Sequence, residues 1–316
     1  MTQYPLVTII TPAYNRADLI GETIESVLNQ DYPNVEYVVL DDGSTDETVT
    51  VIKRYEGRLR WASHANVGEA RTVNAGFALA NGEIIGVVNS DDPLLPGAIR
   101  RIVEVFQTNP DALVAYPDWR LIDVRGNALK EIRCRDFVSY EEMVSGHHCL
   151  PGPGAFFRRQ VLEMTTGRDP AYRYVGDLDF WLRVGQYGRF VRVPEVLATF
   201  RVHSGSASVC LQSDSMAAEQ VAVIENFFAR ERDDKRMQIL RRVSMLNAFH
   251  AAACHLGRDR KTGLLRYILR SIASCPVTFF TKYPYRIFIY ALMLVGIDYR
   301  AIKYTLSGLQ YKFFRK

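Results

Sequence analysis

Apolar positions along the first third of the chain recur in two alternating periods. Residues 6–11, Leu6-Val7-Thr8-Ile9-Ile10-Thr11, are an apolar, β-branched run that stops at Pro12, as a strand does. Between residues 18 and 30, Leu19, Ile20, Thr23, Ile24, Val27 and Leu28 keep the spacing of one helical face. Residues 37–40 are again a short apolar run, too short for a helix. Ser44 followed by Glu47 has the form of a capping box and predicts a helix to about Tyr55. Residues 69–80 predict a third helix, with Asn81-Gly82 as its stop. Residues 84–88 predict a buried strand. Pro96 fits the first turn of a helix carrying Ile99, Ile102, Val103 and Phe106 and ending at Pro110. Residues 113–116 predict a further strand. Strands that alternate with helices of this length imply βαβ units and a largely parallel sheet. Residues 123–205 are irregular and are expected to form the acceptor-facing half of the same domain. From about Asp214 the pattern is helical. No internal repeat interrupts it.

In such sheets ligands bind beyond the carboxyl ends of the strands. The polar clusters at residues 11–16, 41–44 and 89–92 each follow a predicted strand, so the chain order alone sets two acidic clusters beside one crevice. With 316 residues, 48% of them hydrophobic, the chain can bury a sizeable core, and disorder is excluded as its general state. The net charge of +4 is unevenly spread: residues 257–316 hold twelve Lys/Arg against two Asp/Glu. That asymmetry predicts a basic tail with an acidic partner. Within it, Leu264, Leu265, Tyr267, Ile268 and Ile272 interleave with Arg266 and Arg270, and the end reads Tyr311-Lys312-Phe313-Phe314-Arg315-Lys316. Residues 286–297 are nearly apolar but fall short of the ~20 needed to cross a bilayer. The pattern is that of an interfacial segment on an anionic membrane surface; a helical subdomain or a dimer interface is the other reading. No recognised module carries the basic run to nucleic acid. The N-terminus has neither a basic segment nor a long apolar one, so no signal peptide is expected. The five cysteines (134, 149, 210, 254 and 275) form no Cys-x-x-Cys pair and are expected as small buried side chains in a reducing, cytoplasmic setting.

Two acidic turns carry the candidate chemistry. Asp41-Asp42-Gly43-Ser44 places two acids at a helix N-terminus, where they can accept from a base N–H or a ribose hydroxyl; acids also cap helices and fill turns there. Asn89-Ser90-Asp91-Asp92 sets adjacent carboxylates at a strand end. Such a pair repels unless a cation or donor is near, and one or two carboxylates plus substrate phosphates are a usual Mg²⁺ or Mn²⁺ arrangement. The alternative is a solvated turn before the next helix. His64, His147, His148, His250 and His255 form no cluster of the kind zinc needs.

Read together, Thr8-Ile9-Ile10-Thr11-Pro12-Ala13-Tyr14-Asn15, Asp41-Asp42-Gly43-Ser44-Thr45-Asp46, Asn66-Val67-Gly68, Asn74-Ala75-Gly76, Gly82-Glu83-Ile84-Ile85 and Asn89-Ser90-Asp91-Asp92 with Leu95-Pro96-Gly97 resemble the family 2 glycosyltransferases over roughly residues 5–210. The resemblance implies an α/β fold of GT-A type with a mostly parallel central sheet, here followed by a C-terminal helical tail. Residues 1–210 would be the catalytic domain and 211–316 a basic helical region associated with a membrane. It implies transfer of a sugar, with inversion, from a nucleoside diphosphate sugar, a UDP-sugar first, to a hydroxyl of a glycan or lipid-linked glycan, as in polysaccharide or cell-surface glycan synthesis.

By the same resemblance, Pro12, Ala13 and Tyr14 line the nucleobase pocket and Asp41 or Asp42 reads the base. Asn15, Asn74, Asn89, Ser90 and Asp91 belong to the nucleotide-sugar site. Asn89–Asp91 stands at the Asp-x-Asp position, so Asp91 is the expected ligand of Mn²⁺ or Mg²⁺, supported by Asp92. Arg201-Val202-His203-Ser204-Gly205-Ser206 resembles the late Arg-x-His loop, with His203 completing the metal site and Arg201 pairing with phosphate. Arg71, two positions before Val73 where many relatives carry Arg, is a supporting phosphate ligand. Pro151-Gly152-Pro153-Gly154 with Ala155-Phe156-Phe157-Arg158-Arg159 resembles the segment that shapes the acceptor site. Gly176-Asp177-Leu178-Asp179-Phe180-Trp181 resembles the acidic motif, with Asp177 as catalytic base and Asp179 structural. A sugar hydroxyl has a very high pKa, so a positioned carboxylate is needed to take its proton. The rival readings are a sugar nucleotidyltransferase, which would open on a Gly-rich phosphate loop that residues 11–16 lack, and a non-catalytic nucleotide-sugar-binding protein, which would have lost these acids.

Overall fold

The structure is a computed structural model. It describes residues 4–203, 214–230, 235–256, 261–297 and 299. The predicted features at residues 204–206, at Cys210 and at 311–316 lie outside the described residues. The chain divides into two compact units, Met1–Met143 with Cys149–Cys210, and Val144–His148 with Leu211–Lys316.

The first unit is built on an eight-stranded sheet. Its first half alternates β1 (Val7–Ala13), α1 (Ile20–Leu28), β2 (Val35–Asp41), α2 (Thr48–Lys53), β3 (Arg60–Ser63), α3 (Glu69–Leu79), β4 (Ile84–Val87) and α4 (Ala98–Thr108). The second half runs β5 (Ala112–Ile122), β6 (Ala128–Ile132), α5 (Tyr140–Gly146), β7 (Phe156–Arg158), α6 (Gln160–Met164), α7 (Gly176–Gly185) and β8 (Arg189–Arg201). The strand order is β3-β2-β1-β4-β7-β5-β6, with β8 on β5. The pairs β1–β2, β1–β4, β2–β3 and β5–β8 are parallel; β4–β7, β5–β7 and β5–β6 are antiparallel. The sheet is therefore of the expected, mostly parallel kind. β1 is flanked on both sides, with Val7 opposite both Val35 and Ile84. All seven of its residues are buried, which is why it reads as a continuous apolar run rather than an alternating one. One core joins Ile9, Ile20, Ile24 and Val39 to Ile99, Ile102 and Phe106 of α4.

The capping box at Ser44 does not form. α2 begins at Thr48, because Ser44 Oγ instead accepts the Asn15 N–H at 2.9 Å and the Ser44 N–H donates to the Asp41 carboxylate at 3.2 Å. The stretch expected to be irregular holds three strands, among them the thirteen-residue β8. It lies along β5 from Ala112↔Arg189 to Ile122↔Arg201, and so carries the chain from α7 to the Arg-x-His loop.

The second unit is helical: Asp214–Ala229, Lys235–His255, Lys261–Ser274, Pro276–Lys282 and Tyr285–Leu294. Its core packs Val221, Phe249, Leu264, Ile268, Phe279, Ile289 and Met293 together. His147 Nε2 meets Gln220 Oε1 at 2.6 Å. Arg286 Nη2 donates to Asn247 Oδ1 at 2.7 Å. Among the described residues no helix is long and apolar enough to cross a membrane.

Candidate active site

Three strand ends of the first unit converge. At the end of β1, Pro12 and Ala13 are buried while Tyr14 is exposed. Asn15 takes a left-handed φ of 51°, which Asn tolerates better than most residues, and its Oδ1 accepts the Thr45 N–H at 2.8 Å. At the end of β2, Gly43 turns with φ 71°, and a Cβ there would stand 2.7 Å from the Asn66 amide nitrogen.

Asp41 is 1% exposed and accepts from Ser63 Oγ at 2.6 Å and from the Ser44 N–H. These bonds hold the turn. Asp42 accepts the Val67 and Gly68 amides at 2.7 and 2.9 Å, at the N-terminus of α3. A carboxylate has about four acceptor positions, so Asp42 keeps lone pairs for a further donor.

Beyond β4, Ser90 is buried and its carbonyl accepts Thr23 Oγ1 at 3.1 Å. Asp91 and His203 meet: His203 Nε2 lies 2.9 Å from Asp91 Oδ2, although 112 residues separate them. Arg16 Nε donates to the same oxygen at 3.1 Å. Asp92 is buried, accepts the Arg201 N–H at 2.8 Å and Asn89 Nδ2 at 3.1 Å, and its carboxyl is pushed up to about 7 by burial and then by the Asp91 charge. Asp92 therefore supports the turn and faces no ligand.

Arg201 overturns an expectation. It is 1% exposed. Its guanidinium donates to the carbonyls of Asp91 (3.0 Å), Asp123 (3.2 Å) and Val124 (3.1 Å) and to Glu22 Oε2 (2.6 Å). A head group buried in four such bonds cannot swing out to a phosphate; Arg201 is the clamp behind the Asp91 turn.

Asn74 is corrected in the same way. Its Oδ1 accepts the Arg168 N–H at 2.8 Å and its Nδ2 donates to the Arg168 carbonyl at 2.7 Å, so its amide grips the backbone of a loop 94 residues downstream. Gly167, at φ 78°, permits that grip, since a Cβ there would lie 2.5 Å from Asn74 Oδ1. Arg71 is exposed on α3 with Nη1 at 3.5 Å from the Val67 carbonyl, and no contact among the described residues joins it to Asp91, Asp177 or His203.

The two acids at the start of α7 differ in surroundings. Asp179 is buried and forms an ion pair with Arg183, Nη2 to Oδ2 at 2.6 Å; Arg183 also donates to the Gly167 carbonyl at 2.6 Å. Asp177 is exposed and lines a cavity of about 120 Å³ with Asn89, Gly152, Pro153, Arg168 and Trp181. That volume is far below the ~300–1,000 Å³ of a pocket for a whole ligand, and suits one sugar-sized group.

Three residues of this region were not anticipated. Arg16 sits on Asp91. Cys149, expected as a buried side chain, is exposed, and its Sγ lies 3.7 Å from Asp177 Oδ2. Arg168 Nη1 donates to Glu69 at 2.5 Å, while its Nε is buried without a hydrogen-bond partner among the described residues. Arg16 lay inside a strand-end cluster and could have been singled out; nothing local marks Cys149 or Arg168. Among the described residues no group of three or more His, Cys, Asp and Glu could hold a metal ion.

The glycosyl transferase family 2 model matches residues 8–165, the span that holds all three strand ends. The chain belongs to glycosyl transferase family 2. A Nostoc protein described as an uncharacterized glycosyltransferase is 30% identical over 228 residues, covering 68% of this chain and 70% of its own. Other family relatives are much longer, and the chain spans a third or less of the bacterial chondroitin and hyaluronan synthases it matches. The fold is shared with solved GT-A enzymes. S. aureus TarS 1–349 in complex with UDP-GlcNAc has TM-score 0.60 at 15% identity, over 85% of this chain and 89% of that one. A Pyrobaculum calidifontis mannosyltransferase in complex with GDP-Man and Mn²⁺ has TM-score 0.58 at 18% identity, over 93% and 86%. As a family 2 member, this chain is a glycosyltransferase.

Proposed function

We propose that the chain transfers a sugar, with inversion, from a nucleoside diphosphate sugar to a hydroxyl of a glycan or lipid-linked glycan, in polysaccharide or cell-surface glycan synthesis. The observation that carries this reading is that the exposed Asp177 carboxylate opens into the same cavity as Asn89, at the end of β4. A sugar seated there lies between the acid that can take a proton and the turn that faces the leaving group. Asp177 accepts the acceptor's proton as its oxygen attacks the anomeric carbon from the face opposite the diphosphate. Trp181 and the Gly152-Pro153 segment orient the two reactants. Asp42, Pro12, Ala13 and Tyr14 line the base, and Asn15 fixes the β1 turn beside it.

Asp91 and His203 would hold a divalent cation: a carboxylate oxygen and an imidazole nitrogen 2.9 Å apart are donors such an ion takes. When bound, Mn²⁺ or Mg²⁺ would offset charge on the departing diphosphate. A UDP-sugar is the first donor to test, supported by the UDP-GlcNAc complex of a protein of the same fold; the GDP-Man complex makes a GDP-sugar the second. The basic C-terminal region is read as a peripheral contact with the anionic inner face of a membrane.

The test is a thermal-shift screen of nucleotide sugars with Mn²⁺, followed by assay of free nucleoside diphosphate release with and without acceptor. A sugar nucleotidyltransferase would release pyrophosphate or form sugar nucleotide, and a non-catalytic binder would be stabilised without turnover. Either result would overturn the assignment.

A further inference from the structure

The three consecutive helices Lys261–Ser274, Pro276–Lys282 and Tyr285–Leu294 turn Leu264, Ile268, Phe279, Ile289 and Met293 into the core of the second unit. Their outward positions are not uniformly polar, as those of a solvated helix are. Leu265, Leu269, Val277, Phe280, Ile287, Phe288 and Val295 are all exposed, Val277 at 76% and Phe288 at 60%. Ile287, Phe288, Ala291 and Val295 fall at helical spacing on one face and are all exposed, so that face is wholly apolar. A contiguous apolar surface rimmed by polar residues marks a contact with a partner or a membrane.

The charge decides between occupants. Residues 260–297 contain six Lys/Arg and no Asp or Glu, and Arg266, Arg270 and Lys282 are exposed among the apolar groups. A second copy of the same face would bring like charge against like charge. Residues 298–316 carry five more cations and a single acid, so covering the face with them would crowd positive charge further. An occupant that is apolar in depth and anionic at its surface answers both features.

We propose that the outward faces of these three helices dock on an anionic lipid bilayer, with Phe280, Ile287 and Phe288 entering the headgroup–acyl boundary and Arg266, Arg270 and Lys282 lying at the level of the lipid phosphates. This deepens the peripheral contact read above and does not depend on sugar transfer. Arg286, buried with its guanidinium 4.0 Å from the Tyr283 ring centroid, stays in the core and takes no part.

The test uses the full chain with vesicles of phosphatidylcholine plus phosphatidylglycerol and of phosphatidylcholine alone, by co-sedimentation at low and high salt. Wild type binds the anionic vesicles and is released in part by salt. Neutralising Arg266, Arg270 and Lys282 to Gln together lowers partitioning by about 100-fold, roughly fivefold for each cation. Phe280→Ser, Ile287→Ser and Phe288→Ser combined abolishes binding while the protein still unfolds cooperatively on heating, which shows that the fold is kept. Wild type that ignores anionic vesicles at low salt, a serine variant that binds as wild type does, or a wild-type dimer that the serine variant converts to monomer overturns the proposal; the last would identify a second copy as the occupant. Nucleoside diphosphate release is measured on the same samples, so loss of the surface and loss of the enzymatic reading are told apart.

Discussion

The two acids of α7 stand two residues apart, yet exchanging each for Asn should have opposite consequences. Asp177 is exposed, and its Oδ1 accepts the Leu178 N–H at 2.8 Å, a bond the Asn carbonyl oxygen can keep. What Asp177→Asn loses is the ability to take a proton. General-base catalysis contributes ~10²–10⁴-fold, so turnover should fall by that factor, about 3–5 kcal/mol of barrier. The folding cost should be only the charge at a helix N-terminus, about 0.3–1 kcal/mol.

Asp179 is buried against Arg183. Asp179→Asn leaves that guanidinium beside a neutral amide and loosens its hold on the Gly167 carbonyl. Breaking a buried pair costs about 3–5 kcal/mol, so this variant should unfold at clearly lower urea. Both are measured with one preparation each: urea unfolding, nucleoside diphosphate affinity by calorimetry, and sugar transfer at saturating donor. A near-normal rate in Asp177→Asn refutes the general-base argument. Abolished nucleoside diphosphate binding in that variant would move Asp177 to the donor site.

Three further outcomes are expected. Chelation should stop turnover and Mn²⁺ or Mg²⁺ restore it, and Asp91→Asn should weaken nucleoside diphosphate binding much more than nucleoside binding; full activity in EDTA refutes the Asp91–His203 assignment. Arg201→Met should cost about 3–5 kcal/mol in urea unfolding, since it strands three carbonyls and takes Glu22's partner away; a cost below about 1 kcal/mol would mean that Arg201 is not the clamp described. His147 and His250 are held neutral, lowered to about 4 and about 3, chiefly by burial, against about 6.5 when unfolded. The unfolded chain therefore binds more protons, and stability present above about pH 6.5 should be lost as pH falls toward those values, by at most about 1.4 kcal/mol per pH unit for each histidine. Urea midpoints for wild type and for His147→Gln with His250→Gln across that range check it, and identical slopes refute it.

The parts of the fold legible in the sequence are those whose burial imposes a period. β1, β4 and α4 show their core positions directly, because apolar and β-branched residues fill those places. β3 and β6 do not: Arg60-Trp61-Ala62-Ser63 and Ala128-Leu129-Lys130-Glu131-Ile132 are largely exposed, so no alternation is required of them. Pro194 interrupts the pattern of β8, where the pairing with β5 also shifts. In the site, Asp91, His203 and Asp177 could be singled out because motif and chemistry coincide. The true work of Arg201 and Asn74 could not, because their partners lie 77–179 and 94 residues away and only the folded chain brings them within reach. Motif position marked which residues to look at, and burial separated those held by the fold from those left accessible.

The bonds of Arg201 also bear on when the site comes into being. The guanidinium joins acceptors at positions 22, 91, 123 and 124, all made before it during synthesis from the N-terminus. The first helices and parallel strands can assemble from neighbouring segments while the chain is growing. The Asp91 turn cannot be fixed until residue 201 has emerged, and the loop it closes is among the longest in the unit, with a correspondingly high entropic cost. A chain stalled short of β8 would lack both Arg201 and His203, and with them the bonds that hold the Asp91 turn.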